Sequence, residues 1–128
     1  MEPLFLTLEE VLEIHRDEIE RHGGTPGVRD NGLLESAVAA PQSGFGGHYL
    51  HGDVYEMAAT YVFHLAQNHP FLDGNKRVGA ATALVFLAMN GIETKMTNQA
   101  LVDMVLAVAK GKMDKPVIAE FFREHSNQ

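Results

Sequence analysis

The sequence predicts an all-α fold: a single compact bundle of about six helices around a central apolar helix at residues 74–89. Apolar residues recur at helical spacing through nearly the whole chain, and no segment shows a convincing strand alternation. Residues 78–89 are apolar on almost every side, as expected of a helix at the centre of a bundle. With 128 residues the chain has the size of one domain, so we expect residues 1–128 to form a single domain.

The first helix begins at a predicted capping box, in which Thr7 caps the helix and Glu10 reaches back to it. Apolar residues then form one stripe: Leu8, Val11, Leu12, Ile14 and Ile19. Gly23 and Gly24 end this helix. A loop at residues 25–29 leads to a short second helix.

Asp30 or Asn31 can cap the second helix, which Pro41 ends. Residues 43–52 are rich in glycine and predict an exposed loop or a small hairpin. The third helix runs from about Val54 to Asn68. It ends there because His69 precedes Pro70, and a residue before a proline is pushed out of the α region.

The fourth helix runs from about Gly74 to Met89 and stops at Asn90-Gly91. Thr97 or Asn98 caps the fifth helix, which closes at Gly111. Asp114 caps the sixth, with Pro116 in its first turn.

Composition narrows the class of protein. The chain is moderately acidic, with 10 Lys and Arg against 17 Asp and Glu, and it has no basic block, which argues against direct nucleic acid binding. It has no cysteine, so disulfide and thiolate chemistry are excluded. The N-terminal residues lack a basic segment typical of signal peptides, and the longest apolar run is too short to span a membrane. We therefore expect a cytoplasmic protein.

One segment carries most of the chemistry of the chain: His69-Pro70-Phe71-Leu72-Asp73-Gly74-Asn75-Lys76-Arg77. Lys76 and Arg77 fall in the first turn of the fourth helix, whose N-terminus carries roughly half a positive charge and unpaired N–H groups. Two cations repel this dipole. The simplest compensation is a bound anion, and phosphate is the common ligand at a helix N-terminus.

Two residues of the segment, His69 and Asp73, each have two interpretations. His69 is a candidate base, because an imidazole accepts a hydroxyl proton near neutral pH, or else a C-capping histidine. Asp73 either caps the central helix or binds Mg²⁺, which often takes a single protein carboxylate. Phe71 reads as a core anchor of the loop.

Gly74 and Asn75 let the backbone approach a ligand closely, and Asn75 either caps the helix or holds a phosphate oxygen. Arg77 suits bidentate phosphate binding, whereas Lys76 acts as a mobile point charge. A base, a divalent metal and a cationic cradle together indicate phosphoryl or nucleotidyl transfer.

Other histidines are weaker candidates. His48 and His51 lie three residues apart and favour a metal only if a third ligand exists, which the sequence does not suggest. His64 lies on the helix before the segment and is more typical of a core or supporting histidine.

The nine residues resemble the Fic motif, His-Pro-Phe-x-Asp/Glu-Gly-Asn-x-Arg, at every specified position. The upstream residues 27–30 and 33–37 are similar to the death-on-curing (Doc) branch of the Fic/Doc superfamily. The resemblance implies that His69 deprotonates a target hydroxyl, that Asp73 holds Mg²⁺ and that Gly74 and Asn75 form an anion hole. It also implies that Arg77 binds nucleotide phosphates and that Phe71 is a structural anchor.

Two positions differ from the adenylylating Fic pattern. Lys76 stands where that pattern usually has glycine, and Ala80 stands where it has a second arginine that clamps the γ-phosphate. Both departures are similar to the Doc branch. The resemblance therefore implies a toxin that binds ATP in the reversed sense and transfers its γ-phosphate to a threonine of elongation factor Tu, with Lys76 stabilising the transferred phosphate.

The same resemblance leaves two alternatives. One is a Fic-type AMP transferase acting on a protein hydroxyl; the other is a catalytically silent module that binds nucleotide or antitoxin. The inhibitory helix motif of adenylylating Fic proteins is not found in the sequence, so inhibition by a separate Phd-like antitoxin is expected. The resemblance also places the target-docking flap at residues 43–52.

Overall fold

The computed structural model describes residues 2–45 and 48–127; Met1, Gly46, Gly47 and Gln128 lie outside the described residues. Six helices follow in chain order: α1 (Leu8–His22), α2 (Asn31–Ala39), α3 (Val54–Asn68), α4 (Asn75–Met89), α5 (Asn98–Ala109) and α6 (Lys115–Glu124). A 3₁₀ turn at Ala40–Gln42 extends α2 through Pro41. The prediction of an all-α fold with about six helices is confirmed.

Side-chain caps begin α1, α2, α5 and α6 at positions that the sequence predicts. Thr7 and Glu10 form the full capping box of α1: the Thr7 hydroxyl accepts the Glu10 N–H at 3.1 Å, and the Thr7 N–H donates to Glu10 Oε1 at 2.8 Å. Of the open alternatives, Asp30 caps α2 and Thr97 caps α5. Asp114 caps α6 as predicted.

Two pairs of short strands lie among the described residues; the sequence allowed for the first, as a small hairpin at residues 43–52, and did not predict the second. Strand β1 (Gly44–Phe45) pairs antiparallel with β2 (His48–Tyr49), within the segment expected to be a loop or small hairpin. Strand β3 (Glu93–Thr94) pairs antiparallel with β4 (Ser126–Asn127) at the end of the chain. Two residues are too few to show a period of two, so these strands carry no sequence signal.

The core lies around α3 and α4, which pack against each other more extensively than any other pair of helices. Helix α3 also contacts α2, α5 and α6, so it is the centre of the bundle at least as much as the predicted helix 74–89. Small residues permit this: Ala58, Ala59 and Ala66 are buried on α3 and allow neighbours to approach on several sides. Helix α4 instead exposes Lys76 in its first turn and Val85 on the opposite side of the helix.

The connection between α3 and α4 is the motif loop (residues 69–74). It lies against the connection between α1 and α2, the α1–α2 loop (residues 23–30), and Val28 and Phe71 form an antiparallel bridge between them. Within residues 2–45 and 48–127, none of the helices has both the length and the apolar character needed to cross a bilayer.

Candidate active site

Hydrogen bonds from the α1–α2 loop hold the motif loop at several points. The carbonyl of Pro70 accepts the N–H groups of Arg29 and Asp30 at 2.7 and 3.0 Å. The Leu72 N–H donates to the Gly27 carbonyl at 3.0 Å. These are main-chain bonds, so the pairing fixes the path of the motif loop independently of most side chains.

His69 is exposed at the C-cap of α3, with φ 50° and ψ 57°. Among the described residues it is the one non-glycine residue with positive φ. This left-handed backbone costs about 1–2 kcal/mol for a residue with a Cβ, so the surroundings must enforce it. Arg29 contributes: its Nε donates to the His69 carbonyl at 2.6 Å and its Nη2 to the Asn68 carbonyl at 2.8 Å.

Phe71 and Asn75 anchor the motif loop from inside. The Phe71 side chain is 1 % exposed, which agrees with the core role expected of it. The Asn75 amide closes a ring with the Phe71 main chain: Oδ1 accepts the Phe71 N–H at 2.9 Å, and Nδ2 donates to the Phe71 carbonyl at 3.1 Å. The buried Asn75 amide is thereby engaged within the loop, and Gly74 rather than Asn75 is the N-cap residue of α4.

Asp73 is exposed, and main-chain donors fix both of its carboxylate oxygens. Oδ2 accepts the Thr25 N–H at 3.1 Å, and Oδ1 accepts the Gly74 N–H at 2.9 Å. These two bonds, the Thr25 bond first, lower the pKa of the carboxyl below its usual value, with smaller contributions from Arg77 and His15. Asp73 does not cap α4, because Gly74 is the N-cap residue.

The Asp73 carboxylate fits Mg²⁺ in its chemistry. It is ionised, it faces solvent, and each oxygen accepts one hydrogen bond and keeps capacity for another ligand. In the part of the chain that the structure describes, no group of three or more His, Asp or Glu side chains is placed to hold a metal. A single carboxylate suits Mg²⁺, which completes its coordination with waters and substrate phosphates.

Helix α4 begins without a side-chain cap. Gly74 occupies the N-cap position with φ 77°, and no side chain bonds to the first N–H groups of the helix. This left-handed conformation favours glycine. The first N–H groups within the helix therefore have no side-chain acceptor, whereas the Gly74 N–H already donates to Asp73 Oδ1; the anion hole at Gly74 and Asn75 stays a prediction.

The two cations behave differently. Lys76 is exposed. Arg77 turns toward the C-terminal end of α1, where its Nη2 donates to the Gly23 carbonyl at 2.9 Å and its Nη1 lies 3.5 Å from the Glu18 carbonyl. The negative end of α1 thus compensates the Arg77 charge within the protein. For Arg77, a bound anion is therefore one of two possible sources of compensating negative charge, whereas the sequence suggests it as the simplest one.

Two residues of the site escape sequence reasoning. His15 is 3 % exposed on α1, and its Nε2 lies 2.9 Å from the Asp73 carbonyl. His15 lies four residues after buried Val11 and so falls on the buried face of α1. A histidine at a buried position of this kind is the sequence feature that could have identified it. Arg29 hydrogen-bonds the end of α3 from a different loop, and no local sequence pattern predicts such a tertiary contact.

The other histidines lie outside the motif loop. His64 is half-buried on α3, with Nδ1 3.4 Å from the Asn68 amide nitrogen. Burial, with smaller contributions from nearby Lys115 and His51, lowers its pKa to about 4. His48 is exposed in β2, and His51 lines a cleft of about 570 Å³ with Lys115. No metal cluster forms around them within the described residues.

These features define a helical protein with a histidine-bearing loop at the start of a buried helix. The chain belongs to the Fic/DOC family, whose sequence model matches residues 5–87 and so includes the complete nine-residue motif. It is 32 % identical over 115 residues to the protein kinase doc of Escherichia phage P1, covering 90 % of each chain. It is also 44 % identical over 71 residues to the toxin Doc of Mycolicibacterium smegmatis, covering 56 % of this chain and 55 % of that protein. Family and relatives together place it in the Doc branch.

Proposed function

We propose that this protein is a Doc-type toxin of a toxin–antitoxin system and a protein kinase in the cytoplasm. It transfers the γ-phosphate of ATP to a hydroxyl, in particular a threonine of elongation factor Tu, and so arrests translation. One observation carries the proposal. Main-chain bonds and the Asn75 amide hold the motif loop in place, while His69 and Asp73 are exposed on it and Lys76 is exposed in the first turn of α4. Phosphoryl transfer requires such positioned groups more than covalent chemistry by the protein.

His69 acts as the general base. Its imidazole takes the proton of the target hydroxyl as the hydroxyl oxygen forms a bond to the γ-phosphorus. The bond from the γ-phosphorus to its bridging oxygen breaks, and that electron pair leaves with ADP. The main-chain N–H groups at the start of α4, with Lys76 and Arg77, stabilise the negative charge on the phosphoryl oxygens.

Asp73 is the residue that holds Mg²⁺. When bound, this ion neutralises phosphate charge and orients the polyphosphate. The contribution of the protein is to keep the carboxylate ionised and fixed, through the Thr25 and Gly74 N–H groups that lower its pKa. The reaction then has both charge stabilisation and a defined geometry.

AMP transfer is the second candidate reaction at the same site. Lys76 and Ala80 argue for kinase activity. Lys76 lies in the first turn of α4 with its side chain in solvent, and Ala80 supplies no cation one turn further along the helix. The nucleotide label that reaches the target distinguishes the two reactions. A silent binding module is the third candidate, and nucleotide binding without any transfer would favour it.

A Phd-like antitoxin is the proposed partner. A surface cleft of about 360 Å³ between α1 and α4 has apolar Ile14 and Val85 in its wall and three carboxylates along α1: Glu10, Glu13 and Asp17. An antitoxin segment that folds on this cleft as a helix, with apolar anchors and basic flanks, fits both features.

Growth arrest and label transfer test the proposed kinase. Induction of the wild-type chain should stop growth, and His69→Ala should restore it, since loss of a general base lowers rates by roughly a hundred- to ten-thousand-fold. His22→Ala, which removes an exposed histidine at the end of α1, should leave the arrest intact. Purified protein should move label to elongation factor Tu from γ-labelled and not from α-labelled ATP. Arrest by His69→Ala would contradict the proposal.

A further inference from the structure

His15 makes two contacts with the motif loop from inside the protein. Its ring stacks on Phe71, with centroids 3.8 Å apart and planes 6° from parallel. Its Nε2 lies 2.9 Å from the carbonyl oxygen of Asp73. The side chain is 3 % exposed, so it touches neither a nucleotide nor a target protein. Any influence on the reaction must therefore pass through the residues it contacts.

The chemistry of the Nε2 contact fixes the direction of the hydrogen bond. A backbone carbonyl can only accept, so Nε2 must carry a hydrogen and donate it. The ring accordingly exists as the Nε2–H tautomer or as the imidazolium. The stack on Phe71 sets the plane of the ring and keeps this donor aimed at one oxygen.

The accepting carbonyl belongs to the peptide group that joins Asp73 to Gly74. A trans peptide is planar, and its C=O and N–H point in opposite directions. When His15 holds the carbonyl, it also sets the direction of the Gly74 N–H. That N–H donates to Oδ1 of the Asp73 carboxylate at 2.9 Å. The orientation of the carboxylate therefore depends on His15 through a single rigid group.

We infer that His15 is a positioning residue for Asp73: it fixes the Asp73–Gly74 peptide plane, and that peptide holds the carboxylate that faces solvent in the site. The inference depends on the proposed function only for the role of the Asp73 carboxylate in the reaction. The geometric statement concerns His15, one peptide and one carboxylate, and it is measurable without any transferred phosphate.

Two substitutions separate the donor from the ring. His15→Phe keeps an aromatic ring to stack on Phe71 and removes the donor. His15→Gln removes the ring and keeps an amide donor at about the reach of Nε2. Both remove any histidine charge, so a difference between them reports the hydrogen bond. Thermal unfolding identifies a variant that does not fold.

The readout is NMR of the Asp73 carboxyl and the Gly74 amide as pH is varied. In His15→Phe we expect the Asp73 pKa to move up toward its ordinary value. We also expect the Gly74 amide proton signal to change much less than in wild type when the Asp73 carboxyl is titrated. In His15→Gln we expect both to stay near wild type. Equal values in all three proteins, or equal losses in both variants, would overturn the inference.

A measurement on the wild-type protein keeps the inference testable even if a variant fails to fold. The nitrogen shifts of the His15 imidazole should show a protonated Nε2, with a coupling through the hydrogen bond to the Asp73 carbonyl carbon. A ring protonated at Nδ1 alone would overturn it, because that tautomer has no donor for the carbonyl. Failure of the kinase assays would leave these NMR results unchanged, so the two proposals fail separately.

Discussion

The guanidinium of Arg29 binds the backbone at His69: Nε lies 2.6 Å from the His69 carbonyl oxygen. The same side chain reaches the Asn68 carbonyl at 2.8 Å, so one cation closes the C-terminal end of α3. The residue that the proposed mechanism uses as base is thus held by a side chain from the α1–α2 loop. The Arg29 cation and the negative end of α3 attract each other. The contact therefore caps the helix and also restricts the backbone of His69.

Replacement of Arg29 by alanine should therefore clearly reduce the rate of phosphate transfer, with only a small loss in the free energy of unfolding. Loss of a charge-assisted bond of about 1.5 kcal/mol should reduce the transfer rate by roughly tenfold if the bond serves mainly to place His69. Steady-state kinetics with urea unfolding checks this, with Arg16→Ala as a control for the loss of an exposed arginine. A normal rate in Arg29→Ala would show that the backbone at His69 needs no clamp.

If Asp73 holds Mg²⁺ as proposed, Asp73→Asn should lower transfer by about a hundredfold or more, since a neutral amide is a weaker ligand for this ion than a carboxylate. The Mg²⁺ concentration for half-maximal rate should rise as well. Asp103→Asn, at an exposed aspartate of α5, serves as the matched control. An unchanged Mg²⁺ requirement in Asp73→Asn would mean that this carboxylate only organises the loop.

Gly24 and Gly23 form a natural pair for testing how closely the α1–α2 loop approaches the site. A Cβ at Gly24 would lie 2.8 Å from Asp73 Oδ2 and 3.1 Å from Arg77 Nη2, whereas one at Gly23 would meet nothing within 4 Å. Both have positive φ, so both alanine variants carry backbone strain. We expect Gly24→Ala to lose much more activity than Gly23→Ala at similar thermal stability. Equal activities would show that Asp73 and Arg77 tolerate displacement.

Acid should destabilise the fold through His64. Its folded pKa of about 4 lies below the ordinary value of 6.5, so the unfolded chain binds the proton first as pH falls. Stability should therefore decrease between about pH 6.5 and 4 and then cease to change on this account. Urea unfolding across that range should show a shallower decrease for His64→Gln than for wild type, with His22→Gln as the control. Parallel decreases in all three would exclude His64 as the cause.

The parts of this molecule that follow from sequence are those that depend on local chemistry. The caps at Thr7, Asp30, Thr97 and Asp114 join residues three positions apart, so the local sequence is enough to predict them. The segment from His69 to Arg77 is local for the same reason. Its residue types and their spacing are enough to indicate phosphate chemistry.

The features that could not be predicted from the sequence are contacts between distant segments. Arg77 turns to the carbonyl of Gly23, 54 residues away, and His15 reaches the carbonyl of Asp73 across 58 residues. Backbone carbonyls leave no trace in a side-chain pattern. The pairing of β3 with the chain end depends likewise on tertiary placement of two residues on each side. For Arg77, the C-terminal end of α1 likewise offers a source of negative charge that the local pattern does not show.

The most direct test of the account is the intact mass of purified elongation factor Tu after incubation with this protein, ATP and Mg²⁺. His69→Ala protein in a parallel reaction provides the blank. We predict a gain of one phosphate with the wild-type protein and no gain with His69→Ala. A gain of one AMP would contradict the kinase assignment, and an equal gain of phosphate with His69→Ala would contradict the role of His69 as the base.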